Sequence, residues 1–352
     1  MKTVYIIYSC NEAYVPYTYI SILSLLENKK VGESYHIYIL HSGLSAANRQ
    51  YLNLLQQDSV SISLIDMTGT LKQFPPDLFR VNLHFTAETY YRFFLPELFP
   101  QLDKVLYIDS DTLICKDIGT LFTVELGNAY LAVTRDLEIV RVAHCDLCPV
   151  QRHYFQKILN LANLDDYFQA GVMVVNLVQW RKENLTAKLL ACLRKVKTPL
   201  YVDQDILNSI CQGNVKFIPQ NWDYTWHLPF VDYHYTRHLP EPYLSQYLAA
   251  HKEPYIIHFT GEKMKPENLP SEPESRLFWR YAAQSPYFEQ LRERMQREQI
   301  KQFQFVQKNR WKLLRYWLLT KIAFGNFRQR YVTKYNNLRK KIERFLNQEV
   351  QI

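Results

Sequence analysis

The chain has 352 residues, 47% of them hydrophobic, and a formal net charge of +8. This length predicts one large α/β domain with an appendage, since it exceeds one minimal domain and falls short of three. The charge is uneven, because residues 292–352 hold 16 basic and 4 acidic side chains whereas residues 1–291 hold 26 and 30. A mildly acidic body argues against nucleic acid as the main ligand.

Strand and helix patterns alternate from the N-terminus onward. The predicted strands span residues 3–9, 35–40, 60–65, 104–109, 130–134, 172–176, 215–218 and 255–259, and the predicted helices span 16–28, 45–56, 87–98, 178–196 and 203–211. Residues 135 to about 154 are predicted to be irregular. Such alternation predicts a parallel sheet that binds ligands at the carboxyl ends of its strands. The body is predicted to end near residues 286–291, giving a domain at 1–290 and a tail at 291–352.

The cysteine count and the N-terminus indicate the compartment. Six cysteines in a chain of this size do not form a disulfide scaffold, and the first predicted strand begins at once, without a signal-peptide pattern. No apolar run reaches the roughly 18–20 residues that a spanning helix needs. We therefore expect a reducing, cytoplasmic location.

Two acids one residue apart follow the strand at 104–109. Asp109 and Asp111 project to the same side of an extended chain, so both carboxylates can bind one hard cation. An acidic turn after a core strand is the alternative. The first strand is not followed by Gly-x-Gly-x-x-Gly, and the sequence contains no P-loop. A bound diphosphate would therefore have to be held by a metal and side chains.

Four segments carry a family resemblance through their order and spacing. They are residues 105–111 (VLYIDSD), 167–177 (YFQAGVMVVNL), 203–208 (DQDILN) and 258–261 (HFTG), the last followed by Lys265-Pro266. Over residues 4–289 the chain resembles the family 8 retaining glycosyltransferases, which include glycogenin and bacterial lipopolysaccharide galactosyl- and glucosyltransferases. The resemblance implies a GT-A nucleotide-sugar-binding fold with a mostly parallel, Rossmann-like sheet, a UDP-hexose donor and Mn²⁺, with Mg²⁺ as the alternative metal.

The resemblance also implies a ligand set for the metal and the diphosphate. His258 would join Asp109 and Asp111, since imidazole and carboxylates suit Mn²⁺ or Mg²⁺. Otherwise His258 is a packing residue at a strand end.

Gly261 and Lys265 would lie at the diphosphate, where lysine neutralises the leaving group. The family places its lysine three residues after the glycine, whereas Lys265 follows Gly261 by four and Lys263 by two. Lys263 is therefore an alternative contact. Glu267 stands where the family commonly has Trp.

Three implied residues would act at the donor sugar. Arg92 would face the sugar and phosphate, with a surface salt bridge to Glu88 as the alternative. Asp203 would bind sugar hydroxyls, with a helix N-cap as the alternative. Gln204 would lie beneath the anomeric carbon, where it stabilises an oxocarbenium-like transition state or acts as a weak nucleophile. Front-face return and double displacement both stay open.

The other implied contacts lie at strand ends. The donor contacts are Ser9, Asn11, Ser110, Gln169 and Ala170, and Asp136 is expected to hold the acceptor. Asn11 stands where relatives often have an acid that accepts from uracil N3–H, a bond that an amide oxygen accepts more weakly. Gln169 replaces an Asn, and the added methylene can change which hexose fits.

A zinc knuckle is a minor alternative for one segment. His144, Cys145, Cys148 and His153 have suitable spacing, but a second Cys pair is missing. Ordinary loop residues are therefore favoured.

The basic tail has helical periodicity. Apolar residues recur at helical spacing in two runs, Trp311, Leu314, Leu318, Ile322 and then Tyr331, Tyr335, Leu338, Ile342, Phe345. Two amphipathic helices separated near Gly325 are predicted. Aromatic residues on a cationic helix suit the headgroups of an anionic membrane. Packing on the body or on another subunit is the alternative, and nucleic-acid binding is disfavoured.

The sequence thus predicts a hexosyltransferase at the inner face of the cytoplasmic membrane. It would move galactose or glucose from UDP to a lipooligosaccharide, lipopolysaccharide or other lipid-linked glycan. Transfer to a protein or cell-wall polymer is one alternative, and a catalytically silent nucleotide-sugar-binding protein is another.

Overall fold

The computed structural model describes residues 3–75, 77–81, 86–146, 148–226, 239–261, 265–268, 272–323 and 325–346. The chain divides into two compact units, Met1–Glu262 and Lys263–Ile352. The predicted boundary at residues 286–291 lies inside the second unit, where a helix begins at Phe288. A functional division between body and tail at residue 290 stays a prediction.

Ten strands in the described part of the first unit form two sheets. The strands are β1 Thr3–Cys10, β2 Ser34–His41, β3 Val60–Asp66, β4 Lys104–Ile108, β5 Thr112–Ile114, β6 Leu131–Val133, β7 Val172–Asn176, β8 Val215–Phe217, β9 Tyr224–Thr225 and β10 Ile256–His258. The central strands are apolar on both faces, as expected of a sheet covered on both sides. In β4, Val105, Leu106, Tyr107 and Ile108 are all fully buried.

The large sheet has the order β3-β2-β1-β4-β7-β6-β8. Its neighbouring strands are parallel except that β7 is antiparallel to both β4 and β6. The prediction of a mostly parallel α/β sheet is confirmed, and only the direction of β7 differs. Because Ile108 is paired with Val172, the start of β7 lies beside the end of β4.

The small sheet has the order β5-β10-β9, with β5 antiparallel and β9 parallel to β10. The predicted strand at 255–259 therefore belongs to this second sheet. Strands β5 and β9 are three and two residues long and are not predicted from the sequence. Strands this short have no periodicity to detect.

The helices of the first unit connect these strands. The α-helices are α1 Val15–Glu27, α2 Ala46–Asn53, α3 Thr68–Leu71, α4 Leu95–Leu98, α5 Gly119–Phe122, α6 Leu137–His144, α7 Pro149–His153, α8 Leu177–Lys182, α9 Leu185–Val196, α10 Val202–Cys211 and α11 Tyr243–Lys252. Segments of 3₁₀-helix span Ala87–Phe94, Leu164–Asp166 and Gln220–Asp223, and a π-helix spans Tyr154–Ile158.

Three helix predictions need correction. The helix predicted at 87–98 is a 3₁₀-helix followed by one turn of α4. The helix predicted at 178–196 is broken into α8 and α9 at Asn184, whose φ is +50°. The region predicted to be irregular contains α6 and α7, and α6 begins because Asp136 Oδ1 accepts from the backbone N–H groups of Glu138 and Ile139.

In the second unit, a 3₁₀-helix at Pro266–Asn268 precedes α12 Pro273–Ala282, α13 Phe288–Ile322 and α14 Gly325–Leu346. Helices α13 and α14 form a helical hairpin, in which the ring of Tyr316 lies 6.4 Å from that of Tyr331. The two predicted tail helices are present, but the first is the end of the much longer α13. Among the described residues, no helix combines the length and apolarity needed to cross a membrane.

Candidate functional site

The candidate site lies where β4 and β10 end and β7 begins, and we call this region the site edge. Two backbone bonds fix it, from Asp109 N to Gly171 O (2.7 Å) and from Phe259 N to Asp111 O (2.9 Å). Because both acids are joined to neighbouring strands through their own backbone atoms, the positions of their side chains are set by the two sheets.

Asp109, Asp111 and His258 converge at this edge. Each can offer one ligand atom, and these atoms lie within 4.8 Å of one another. His258 Nε2 is 3.8 Å from Asp109 Oδ2 and 3.4 Å from Asp111 Oδ1. Two carboxylates and an imidazole form a donor set that fits a divalent cation such as Mn²⁺ or Mg²⁺.

Asp223 orients the imidazole of His258. Its Oδ1 lies 2.9 Å from His258 Nδ1, so Nδ1–H donates to the carboxylate and Nε2 faces the two acids. Burial lowers the pKa of His258, but Asp223 and Asp111 outweigh it and raise that pKa to about 10. Asp223 is not predictable from the sequence, because it lies 35 residues before His258 in a 3₁₀-helix that no motif marks.

The absence of a side chain at Gly171 leaves room for the imidazole ring of His258. A Cβ at this position would overlap the His258 ring and lie 3.1 Å from Asp109 Oδ2. The glycine therefore allows the histidine and the first acid to approach each other, which is a second observation that fits a shared metal.

Arg92 is buried and bridges two acids at the site edge. Its Nη2 lies 2.7 Å from Asp109 Oδ1, and its Nε lies 3.0 Å from Asp203 Oδ2. Its Nη1 donates to Ala170 O at 2.6 Å, and its guanidinium carbon lies 4.0 Å from the centre of the Tyr107 ring. The alternative of a surface salt bridge with Glu88 is wrong, because Arg92 is only 3% exposed.

Asp203 lies beside Arg92 in the first turn of α10. Its carboxylate also accepts a hydrogen bond from Thr89 Oγ1. Burial raises the pKa of Asp203 to about 6, although Arg92 acts in the opposite direction. The N-cap alternative is wrong, because the N-cap residue is Tyr201 and the acid that accepts from its backbone N–H is Asp205.

Gln204 joins the segment just before β7 to Asp136. Its Oε1 accepts from Ala170 N at 3.0 Å, and its Nε2 donates to Asp136 Oδ2 at 2.9 Å. Gln169 Oε1 accepts from the same Ala170 N–H at 2.9 Å. Burial raises the pKa of Asp136 to about 6. The structure thus brings the expected acceptor residue into contact with the expected catalytic amide.

Ser110 uses its side chain for structure. Its hydroxyl donates to Ser9 O at 2.9 Å and accepts from Thr18 Oγ1 at 2.9 Å. Asn11 is also engaged locally, because its Oδ1 accepts from the backbone N–H groups of Ala13 (3.0 Å) and Tyr14 (3.2 Å). The oxygen expected to read uracil therefore already has two donors.

The predicted diphosphate contacts divide between the two units. Gly261 belongs to the first unit and has a φ of +82°, a conformation that favours glycine. Lys265 belongs to the second unit, and Lys263 lies outside the described residues. The choice between the two lysines stays open.

The zinc alternative gains no support. His144 Nε2 is 2.9 Å from Asp165 Oδ1, and burial raises the pKa of the Cys148 thiol. Within the described residues, the cluster that could hold a metal ion is that of Asp109, Asp111 and His258.

Similarity to known proteins identifies the class to which this fold and site belong. The sequence model of glycosyl transferase family 8 matches residues 5–266. The chain is 31% identical over 229 residues to a putative glycosyltransferase of Haemophilus influenzae, covering 64% of each chain. It is 27% identical over 252 residues to a lipopolysaccharide 1,2-glucosyltransferase of Escherichia coli, covering 69% of this chain and 67% of that one.

Among solved structures, the apo form of the bifunctional glycosyltransferase WbbM is similar, with a TM-score of 0.72 and 31% identity, over 83% of this chain and 51% of that one. The chain therefore spans about two thirds of the Haemophilus relative and half of WbbM. The fold is of the GT-A class. This chain belongs to glycosyl transferase family 8.

Proposed function

We propose that the protein is a retaining hexosyltransferase that moves galactose or glucose from a UDP-sugar to a lipid-linked glycan, such as a lipooligosaccharide or lipopolysaccharide. The observation that carries this proposal is the cluster of Asp109, Asp111 and His258, with His258 oriented by Asp223. The relationship to a lipopolysaccharide glucosyltransferase supports the substrate class.

Asp109, Asp111 and His258 Nε2 would hold the divalent metal. Bound there, Mn²⁺ or Mg²⁺ would neutralise charge on the diphosphate leaving group. Asp109 would be restrained from the other side, because Arg92 already binds its Oδ1. Arg92 keeps Asp109 and Asp203 together without a ligand, so little rearrangement is needed when the donor binds.

Asp203 and Gln204 would act at the transferred sugar. Asp203 is held by Arg92 and Thr89, and Gln204 by Ala170 and Asp136, so both side chains have fixed orientations. Fixed dipoles at the reacting carbon stabilise developing charge without having to reorient during the reaction. Asp136, which touches Gln204, would hold the acceptor close to the donor sugar.

The helical hairpin would attach the enzyme to the inner face of the cytoplasmic membrane. Exposed apolar side chains follow one another along α13, and they are Ile300, Phe303, Trp311, Leu314, Trp317, Leu318 and Ile322. Trp311 is 75% exposed. Basic residues surround this apolar stripe, and each contributes about 1 kcal/mol at an anionic surface. A lipid-linked acceptor would lie at the same surface.

A donor screen tests the proposed activity. The full-length protein is incubated with a panel of UDP-sugars, Mn²⁺ and a lipid-linked oligosaccharide, and UDP release is measured. We expect turnover with UDP-galactose or UDP-glucose, loss of turnover with EDTA, and an α-linked product by NMR. Absence of UDP release with every donor, with and without acceptor, would contradict the proposal.

A further inference from the structure

One acidic side chain near the carboxyl end of β1 has no role in the contacts described so far. Glu88 lies on the 3₁₀-helix Ala87–Phe94 and is 9% exposed. In the part of the chain that the structure describes, no hydrogen bond or ion pair engages its carboxylate. The residue is largely covered, but its carboxylate oxygens are not fully buried, so a donor that arrives with a ligand can reach them.

The 3₁₀-helix directs two charged residues to neighbouring strand ends. Arg92 reaches Asp109 at the end of β4. The 3₁₀-helix packs against β1 and β2, and Glu88 is close enough to Cys10, the last residue of β1, for its charge to act on the thiol. Burial is the main cause that raises the pKa of the Cys10 thiol, to about 12, and the negative charge of Glu88 adds to it. It likewise adds to burial in raising the pKa of Tyr91.

Strands β1 and β4 are neighbours, with Ile6 paired to Leu106. Neighbouring strands lie about 5 Å apart. A diphosphate at Asp109 would therefore place the attached nucleoside along the ends of β1 and β2, where Glu88 lies.

The other acceptor groups at this edge are already occupied by backbone donors. The bonds run from Ala13 N and Tyr14 N to Asn11 Oδ1 (3.0 and 3.2 Å), from Ser45 N to Glu12 Oε2 (3.0 Å), and from Thr68 N to Asp66 Oδ1 (2.9 Å). Glu88 is thus the acid at this edge that is buried and lacks such a donor among the described residues.

We propose that Glu88 reads the base of the donor nucleotide by accepting the hydrogen bond of the uracil imide N3–H. The inference rests on the proposed function, because it takes a uridine nucleotide as the ligand. A carboxylate accepts and never donates when ionised, so it binds an imide N–H and repels the N3 lone pair of cytosine. Glu88 would therefore supply the selection for uridine that Asn11, already bonded, does not.

Calorimetric titration of UDP and CDP in the presence of Mn²⁺ tests this role. We expect the wild-type protein to bind UDP at least about tenfold more tightly than CDP. In Glu88→Gln, UDP binding should weaken about 10- to 100-fold while CDP binding is kept or improves, since the amide can donate to cytosine N3. Glu12→Gln is the matched control and should leave the UDP:CDP ratio unchanged.

Folding is checked by the unfolding temperature and by Mn²⁺ affinity, both of which should match the wild type. If Glu88→Gln does not fold, Glu88→Asp replaces it and should give an intermediate ratio. An unchanged ratio in the folded variant, or equal weakening of UDP and CDP, overturns the role of Glu88 and leaves the proposed function intact. Failure of the wild-type protein to bind UDP overturns the proposed function instead.

Discussion

The site edge of the first unit and the helical hairpin of the second each depart from the usual rule that apolar side chains are buried and charged side chains are exposed. At the site edge, charged groups are buried, and Asp223 is completely inaccessible. On the hairpin, apolar groups are exposed, and Trp311 and Ile322 are 75% and 65% accessible. Each arrangement costs free energy in the isolated chain, so each points to a partner that offsets it.

The two regions differ in how firmly they define that partner. At the site edge the relevant side chains have neighbours at fixed distances, which specify a small polar ligand with defined geometry. The hairpin offers a stripe of exposed apolar side chains, which suits a surface that is itself fluid. A ligand pocket and a membrane-binding face are therefore expected to respond differently to single substitutions.

The largest effect is expected at the metal ligands. Asp111→Asn replaces a charged oxygen ligand by a neutral amide and should lower Mn²⁺-dependent UDP release by a factor on the order of 10³, with loss of UDP affinity. Asp103→Asn is a matched control at the other end of β4, where the side chain is 88% exposed. Equal UDP affinity in Asp111→Asn and the wild type would mean that this carboxylate does not hold the metal.

A smaller effect is expected at Asp223, which contacts His258 and not the metal itself. Asp223→Asn removes the charge that fixes the tautomer and orientation of His258. Metal affinity, measured by titration of Mn²⁺, should fall about 10- to 100-fold. Metal binding that matches the Asp103→Asn control would show that Asp223 only fills space.

On the hairpin, several substitutions are needed together. Trp311→Ser, Leu318→Ser and Ile322→Ser in one chain should weaken binding to anionic vesicles at least about tenfold in a sedimentation assay. Binding of the wild type should also weaken as salt is raised. Removing the tail after residue 290 is a less specific test, since Leu291 and Met295 of α13 are buried. Vesicle binding unaffected by the triple substitution would favour packing against another protein.

A last effect concerns the dependence of stability on pH. The carboxyl of Asp136 has a pKa raised from 3.8 to about 6, so the folded protein holds this proton more tightly than the unfolded chain does. This group therefore makes folding less favourable as the pH rises from 4 to 7. Asp136→Asn should reduce that loss by about 2 kcal/mol. Denaturant unfolding at pH 4 and pH 7 measures it, and equal pH dependence in both proteins would contradict the burial argument.

Many of the residues that distinguish the site edge from the hairpin could be predicted from the sequence, for physical reasons. Asp109, Asp111 and His258 could be predicted because strand ends and short motifs place them, and the tail helices because apolar residues repeat at helical spacing. Asp223 could not be predicted, since the contact joins residues distant in sequence and depends on the tertiary fold. The ion-pair partners of Arg92 could not be predicted for the same reason. Sequence spacing suggests Glu88 as the partner, whereas in the folded chain the buried Arg92 pairs with Asp109 and Asp203.

The direction of β7 also escaped prediction. Hydrophobic runs of five residues give length and burial but not orientation. Because β7 runs against β4, residues 169–171 reach the site edge from before a strand rather than after one.

The geometry of the site depends on the absence of a side chain at Gly171. The volume that a methyl group would fill is taken by the His258 ring. Positions 171 and 258 are therefore constrained as a pair, although 86 residues separate them along the chain. A chain of this fold with any larger residue at 171 would have to move its histidine away from the first acid, so this position can report on metal dependence before any assay is made.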